Sequence, residues 1–277
     1  MKKFLAFLSV CSAFALAACL AGCVTVNVQK ASTESDSDSS SSAEASSSAS
    51  EASSSAASGS SASASASSAA STGTASYSLG NMFVLDVHDD GQGPVADAVV
   101  EIVNTGNVPL TIGASAIKIY DGVGNELVNA TGNAIFTGPS YLRVGDIGFI
   151  YSGSPIPMPS GYSSSDDYQL TATADVNACK EVWEYPISNQ RISDDGHGVP
   201  TVTGTVTNDD SENADLIEVT AMFLDNEGNL LGVAGDILVN VAPGASQEFS
   251  IDGYGLPVGC TMAMIADYDV IAVGAKF

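Results

Sequence analysis

Apolar and polar residues alternate along most of the chain after residue 76, in short runs rich in Val, Ile, Thr and aromatic side chains. A period of two is typical of β-strands that turn one face towards a core. Clusters of turn-forming residues, such as Asp121-Gly122 and Pro243-Gly244, separate the runs. No part of this region carries the sustained apolar stripe of a capped helix. The runs predicted to be strands are 95–103, 115–120, 169–176, 199–206, 217–224 and 262–270.

The same region contains an internal repeat. Asn104 returns as Asn208, Ile119-Tyr120-Asp121 as Phe223-Leu224-Asp225, and Gly124-Asn125 as Gly228-Asn229, each 104 residues later. The turn sequence 89–93 returns at 194–198, 105 residues later. Several matches in one order at one spacing indicate two copies of one module, which we assign to 77–178 and 179–277.

Each copy has the strand content of a small sandwich. Six or seven short strands in about 100 residues, with a turn every 8 to 12, are typical of an antiparallel β-sandwich of immunoglobulin-like size. We therefore expect an all-β protein with two tandem immunoglobulin-like antiparallel β-sandwich modules.

The first 22 residues have the pattern of an export signal. Lys2 and Lys3 precede a nearly continuous apolar run over 4–20. The tetrapeptide Leu20-Ala21-Gly22-Cys23 resembles the lipobox of bacterial lipoproteins, in which a peptidase cuts before the cysteine and lipid is attached to it. The resemblance implies lipidation at Cys23 and a protein held on the extracytoplasmic side of a cell membrane. Two alternatives are an uncleaved transmembrane anchor and lipidation at Cys19.

Residues 23–76 join this anchor to the modules. From residue 31 onward the segment is almost entirely Ser and Ala with a few acids, and it has no large apolar residue. Such a composition buries too little apolar surface to offset the loss of chain entropy. We expect a lipid-anchored, disordered linker that lets the modules stand off from the membrane.

The charge of the chain limits its partners. The formal net charge is −24, and removal of Lys2 and Lys3 with the signal leaves 6 Lys and Arg against 32 Asp and Glu, a net of −26. Nucleic acid needs clustered basic residues, so it is excluded as a partner. The same charge repels anionic lipid headgroups, so contact with the membrane is expected through the N-terminal lipid alone.

Two cysteines remain once the signal and the lipidation site are set aside, namely Cys179 and Cys260. In an exported chain, two remaining thiols most simply pair. We expect a disulfide that ties the start of the second module to its final strand. The alternative is that both are small buried apolar residues.

A family resemblance lies in the first module. The stretch Ile117-Lys118-Ile119-Tyr120-Asp121, followed by a Gly-rich turn, resembles the signature of the FxLYD domain of bacterial exported proteins and lipoproteins. The second copy, Ala221-Met222-Phe223-Leu224-Asp225, keeps the Asp but replaces the Phe and Tyr positions. The resemblance implies a β-sandwich and supplies no catalytic residues.

The best candidates for a cation site are two pairs of acids, Asp89-Asp90 and Asp194-Asp195, each followed by Gly-x-Gly. Calcium is bound by several converging carboxylate and carbonyl oxygens, which such a turn can supply. The alternative is an ordinary polar loop at the end of a strand. His88 and His197 adjoin these turns, and we expect both to be exposed loop residues.

Catalytic and cofactor motifs are absent from the sequence. It has no Gly-x-Ser-x-Gly elbow and no phosphate-binding Gly loop, so we expect neither an enzyme nor a cofactor. The segment 152–167, with three prolines, is either a recognition loop or a stiff polyproline-like crossover. We expect a binding or structural adaptor with an extracellular protein partner. The alternative is a metal- or small-ligand-binding sensor or accessory subunit of an envelope transport or signalling system.

Overall fold

The computed structural model describes residues 73–194, 196, 198–253, 256–257 and 260–276. The predicted signal peptide, Cys23 and the linker as far as residue 72 lie outside this part. The described residues form antiparallel strands and contain no α-helix, which confirms the all-β prediction.

The first module contains nine strands in two sheets. The strands are β1 (Tyr77–Asp89), β2 (Pro94–Asn104), β3 (Leu110–Asp121), β4 (Glu126–Thr131), β5 (Ile135–Gly138), β6 (Tyr141–Leu142), β7 (Ile147–Ser152), β8 (Ile156–Pro157) and β9 (Tyr168–Ala178). Sheet A has the order β1-β2-β7-β5, with β8 paired to β2. Sheet B has the order β4-β3-β6, with β9 paired to β3.

The described residues of the second module form seven strands in two sheets. The strands are β10 (Glu181–Glu184), β11 (Ile187–Asp194), β12 (Pro200–Thr207), β13 (Ala214–Leu224), β14 (Leu230–Val241), β15 (Ser246–Asp252) and β16 (Asp267–Lys276). Sheet C has the order β10-β16-β13-β14, and sheet D has the order β11-β12-β15. The chain passes from sheet C to sheet D at Tyr185-Pro186, between β10 and β11.

Each module has its own core, formed where alternate residues of its two sheets meet. In the first module, Ile102 and Ile150 of sheet A face Ile117 and Leu170 of sheet B. In the second, Val202, Phe249 and Ile251 of sheet D face Ile217, Phe223 and Ala272 of sheet C. The period of two in the sequence thus builds both sandwiches.

A buried asparagine makes the same contacts in both copies of the repeat. The Asn104 side-chain amide donates to the carbonyls of Val108 and Leu142 at 3.0 and 3.1 Å. The Asn208 amide donates to those of Glu212 and Val241 at 2.9 and 2.8 Å. Each carbonyl oxygen of these amides accepts a backbone N–H two residues later. The asparagine therefore ties the end of one sheet to the loop that leads into the other.

The chain joins the first module slightly before the predicted boundary. Thr74 N–H donates to Asn107 Oδ1 at 2.8 Å, and Ser76 O accepts from the amides of Thr105 and Gly106 at 3.0 Å. These bonds attach residues 74–76 to the turn after β2. The expectation that the linker extends to residue 76 is corrected accordingly.

The two modules pack face to face, so the four sheets form layers in the order B, A, C, D. Val99, Phe149 and Tyr151 on the outer face of sheet A contact Met222, Leu224, Leu230 and Val233 on the outer face of sheet C. From residue 217 onward, strand β13 therefore turns odd-numbered residues to its own core and even-numbered ones to the other module. Strands β2 and β13 are consequently buried on both faces over most of their length.

The repeat shows why only these two faces are apolar. On sheet A, Val99 pairs with Tyr151, as Thr203 pairs with Ser250 on sheet D. By this register Val99, Phe149 and Tyr151 occupy the positions that Thr203, Glu248 and Ser250 take on sheet D. On sheet C, Met222, Leu224, Leu230 and Val233 occupy the positions that Lys118, Tyr120, Glu126 and Asn129 take on sheet B. The exchange of polar for apolar side chains assigns one inner and one outer sheet to each module.

Candidate functional site

The long connection between β7 and β9 lies at the end of the first module opposite the incoming chain. The start of β1 and the end of β9 lie near residues 74–76. The connection 153–167 joins the end of β7 to the start of β9, at the opposite end of the module. Its first half is anchored, because β8 pairs with β2 and Met158 is buried in the core. In the second half Tyr162 packs against the core, whereas the other residues are exposed. Asp166 Oδ2 accepts the Ser163 N–H at 2.7 Å. The exposed part of this connection is therefore 159–167, apart from Tyr162.

The acidic turns use their carboxylates to close their own backbone. Asp89 Oδ1 accepts the Gly91 N–H at 2.8 Å, and Asp90 Oδ1 accepts those of Gln92 and Gly93 at 2.8 and 3.1 Å. Asp194 Oδ1 accepts the amides of Gly196 and Gly198 in the same way. Asp195 and His197 lie outside the described residues. These contacts account for the repeated Asp-Gly pattern as turn chemistry.

The Asp of the FxLYD-like segment has an equivalent role in both copies. Asp121 accepts the backbone N–H and side-chain amide of Asn125, both at 2.8 Å. Asp225 accepts the same two groups of Asn229 at 2.8 and 2.9 Å. Hydrogen bonds lower the pKa of the Asp121 carboxyl group, with the Asn125 side chain as the largest cause. For Asp225 burial acts to raise the pKa, but the hydrogen bonds from Asn229 and the turn amides together lower it. In both modules this Asp organises a turn.

The predicted disulfide is not present, because Cys179 and Cys260 are both free thiols. Strand β10 pairs antiparallel with β16, so Glu181 lies opposite Lys276. The chain after Cys179 therefore starts at the C-terminal end of β16, whereas Cys260 precedes its N-terminal end, and a strand of this length spans about 30 Å. The antiparallel pairing of β10 with β16 therefore places the two cysteines near opposite ends of β16. Burial raises the pKa of both thiols.

A cluster of potential metal ligands lies in the first hairpin, formed by Asp86, His88 and Asp97. Asp86 and His88 share one face of β1, and the hairpin register puts Asp97 of β2 directly opposite Asp86. Asp86 Oδ2 lies 3.3 Å from His88 Nδ1, and Asp97 Oδ2 lies 4.0 Å from the same nitrogen. Asp97 is only 4% exposed.

His88 is therefore not the exposed loop residue that the sequence suggested. It belongs to β1, its side chain is 17% exposed, and neither ring nitrogen has a hydrogen-bond partner. Two sequence signals indicate the cluster. Asp86 and His88 are two residues apart in a strand pattern, and the Asp90–Gly93 turn fixes which residue of the next strand faces them. Within the described residues, no other group of three potential ligands comes together in this way.

Polar side chains also form contacts between the two modules. Glu218 on sheet C accepts a hydrogen bond from the Ser140 N–H at 2.7 Å and another from the Ser140 hydroxyl. Burial raises the pKa of Glu218. The pKa of Tyr151 is raised to about 12 by its own burial and by the nearby charge of Glu218. Arg143 also bridges to Glu184 at 2.5 Å. The apolar contact between sheets A and C is thus bordered by polar pairs that fix its alignment.

No protein-family model matches the chain, and no curated protein matches it either. Among the described residues, no helix is long and apolar enough to cross a membrane. The fold and its contacts define an all-β protein built from two antiparallel sandwiches packed face to face.

Proposed function

We propose that this protein is a lipid-anchored binding or structural adaptor on the extracytoplasmic side of a cell membrane. The Leu20-Ala21-Gly22-Cys23 segment supports the anchor, and the resemblance to FxLYD domains supports an exported β-sandwich module. The charge of the chain favours a protein partner over nucleic acid.

The observation that carries the proposal is that the first module has two different ends, one attached to the incoming chain and one bearing an exposed loop. The chain enters at residues 74–76, and the exposed segment 159–167 lies at the opposite end. A tether attached at one end directs the other end away from its anchor point. Loops carried on a rigid sandwich are the usual location of binding residues in such folds. The face-to-face contact of the modules adds a second sandwich to the same body.

Site-specific photo-crosslinking on cells tests the adaptor role. A photoreactive amino acid at exposed Ser160 should capture a protein partner from the cell surface, whereas the same group at exposed Thr105, beside the entering chain, should not. Equal capture from both positions, or none from Ser160, would remove the argument from the two different ends of the module.

The anchor has its own test. Replacing Cys23 with Ala should release the protein or leave its signal uncleaved, because a lipoprotein anchor depends on acyl chains attached at that cysteine. Replacing Cys19 with Ala is the matched control and should change neither processing nor location. Mass spectrometry of the wild-type membrane fraction would contradict the proposal if it found Cys23 unmodified.

A second candidate function is a metal-binding sensor or accessory subunit. The cluster of Asp86, His88 and Asp97 favours it, because two carboxylates and an imidazole converge in a largely buried position.

A further inference from the structure

We propose that Asp86, His88 and Asp97 bind one divalent transition-metal ion of the Zn²⁺ type. This inference deepens the second candidate function and does not depend on the adaptor role. It rests on the geometry of the three side chains, on their burial, and on the two His88 ring nitrogens, which are buried without hydrogen-bond partners.

The three side chains offer one ligand atom each on a single face of the β1–β2 hairpin. Their ligand atoms all lie within 4.8 Å of one another, and the His88 Nδ1 to Asp86 Oδ2 separation is 3.3 Å. Ligand atoms bound at about 2.0 to 2.2 Å around a tetrahedral Zn²⁺ lie roughly 3.4 Å apart. The 4.0 Å distance between His88 Nδ1 and Asp97 Oδ2 is longer than this. One of these two side chains must therefore shift by several tenths of an ångström for both to coordinate the same ion.

Burial makes a cation at this position favourable. Asp97 is only 4% exposed and faces a second carboxylate directly across the hairpin. Like charges opposite each other on two strands destabilise the pairing. A cation bound between the two carboxylates offsets this repulsion.

The His88 ring favours a transition metal over calcium. Its Nδ1 and Nε2 atoms are buried and lack hydrogen-bond partners, and Nδ1 faces both carboxylates. Neutral imidazole is a preferred ligand for Zn²⁺, whereas calcium selects oxygen ligands. Three protein ligands leave a coordination position for water or for a further ligand.

The position of the cluster relates the ion to the contact between modules. Val84 and Val99, which precede Asp86 and follow Asp97 on the same face of sheet A, pack against residues of sheet C such as Leu224 and Leu230. An ion at the cluster would therefore stiffen the hairpin that borders the second module.

Calorimetric titration of the full chain with Zn²⁺ tests the site. The protein carries no affinity tag, is extracted from membranes in detergent and is stripped of metal by chelation. We expect one Zn²⁺ per chain and a melting temperature that rises with Zn²⁺ concentration, because an ion that binds only the folded state stabilises it. His88→Gln and Asp97→Asn should each weaken Zn²⁺ binding at least tenfold. Loss of a group that only supports a ligand can already lower metal affinity by that factor, so loss of a ligand should lower it at least as much. Asp175→Asn removes an exposed strand carboxylate of the same module and should leave binding unchanged.

A second measurement on the unaltered protein covers the case in which a variant fails to fold. The chain contains only two histidines, so a ¹⁵N-histidine NMR spectrum has few signals, and His197→Gln assigns them. Zn²⁺ should shift the His88 nitrogens. Absence of any Zn²⁺ binding, equal binding by wild type and the cluster variants, or a Zn²⁺-induced shift confined to His197 would each overturn the proposal. None of these results bears on Ser160 crosslinking.

Discussion

Glu218 of the second module accepts hydrogen bonds from both the N–H and the hydroxyl of Ser140 in the first. The two residues are 78 positions apart, and their contact lies beside the apolar contact between sheets A and C. A carboxylate in this position is expensive to keep charged, because burial removes its water while only one residue supplies donors. The contact between the modules should therefore depend on pH.

The first prediction concerns this dependence. Burial raises the pKa of Glu218 in the folded protein above its ordinary value of 4.5, so the folded state holds the proton to higher pH than the unfolded state does. The contribution of Glu218 to stability is then largest below pH 4.5 and is lost as pH rises through the folded pKa. Glu218→Gln should flatten this decline in urea denaturation between pH 4 and 8. The exposed Glu248→Gln is the control and should leave the slope as in wild type.

A second prediction concerns Gly80, at the irregular pairing in β1. Glu101 Oε2 accepts the amides of Asn81 and Met82 at 2.7 and 2.6 Å, and a Cβ on Gly80 would lie 2.2 Å from Glu101 Cδ. Gly80→Ala should cost about 1 to 3 kcal/mol in chemical denaturation, because it forces the carboxylate off its two donors. In Gly113→Ala the nearest atom lies at 3.5 Å, so this control should be close to neutral. Equal effects would show that the contact with Glu101 does not matter.

The third prediction uses the repeated asparagines. Asn104 and Asn208 are 1% and 0% exposed, and each satisfies two backbone carbonyls. Replacing either with Ala should lower the free energy of unfolding by about 1 to 3 kcal/mol, because buried carbonyls are left without donors. Exposed Asn177→Ala is the reference and should have little effect. A large loss in one module and none in the other would contradict the equivalence of the two sites.

The fourth prediction separates the modules. Phe149 is 1% exposed and packs in the contact between sheets A and C rather than in either core. Phe149→Ala should cost about 3 to 5 kcal/mol and divide the calorimetric transition into two, because the loss falls on the coupling of the modules. Phe136, which is 49% exposed and stacks on Tyr151, is the matched control. Its replacement with Ala should cost about 1 kcal/mol or less and keep one transition.

The fifth prediction concerns the free thiols. Alkylation of the denatured, unreduced protein followed by trypsin should label both cysteine peptides, 144–180 with Cys179 and 192–276 with Cys260. Recovery of the two peptides joined by a disulfide would contradict the antiparallel arrangement of β10 and β16.

The sandwich architecture was predictable from sequence because its cause is local. Alternating side chains decide which face of a strand is buried, and the Asp and Asn residues of the repeat stabilise turns with their neighbours. Cys179 and Cys260 show the limit of such reasoning. Whether their strands run together or apart depends on the pairing of β10 with β16, which no nearby residue encodes.

The contact between modules left a signal that a comparison of the two copies would reveal. Phe149 and Tyr151 align with Glu248 and Ser250, a difference that strand periodicity within one copy cannot explain. The cluster of Asp86, His88 and Asp97 was harder to predict. Asp86 and Asp97 belong to different strands, and their convergence depends on the register of the hairpin.

The face-to-face contact also limits how many modules can assemble in this way. Sheet A of one copy meets the counterpart of sheet B in the other, so the contact joins two different surfaces and has no twofold symmetry to close it. Such a contact, repeated, would extend into a growing column. The outer faces of the two terminal layers carry polar side chains instead: Thr203, Glu248 and Ser250 on sheet D, and the Lys118–Glu126 ion pair on sheet B. These polar faces do not offer another module the apolar contact that joins sheets A and C.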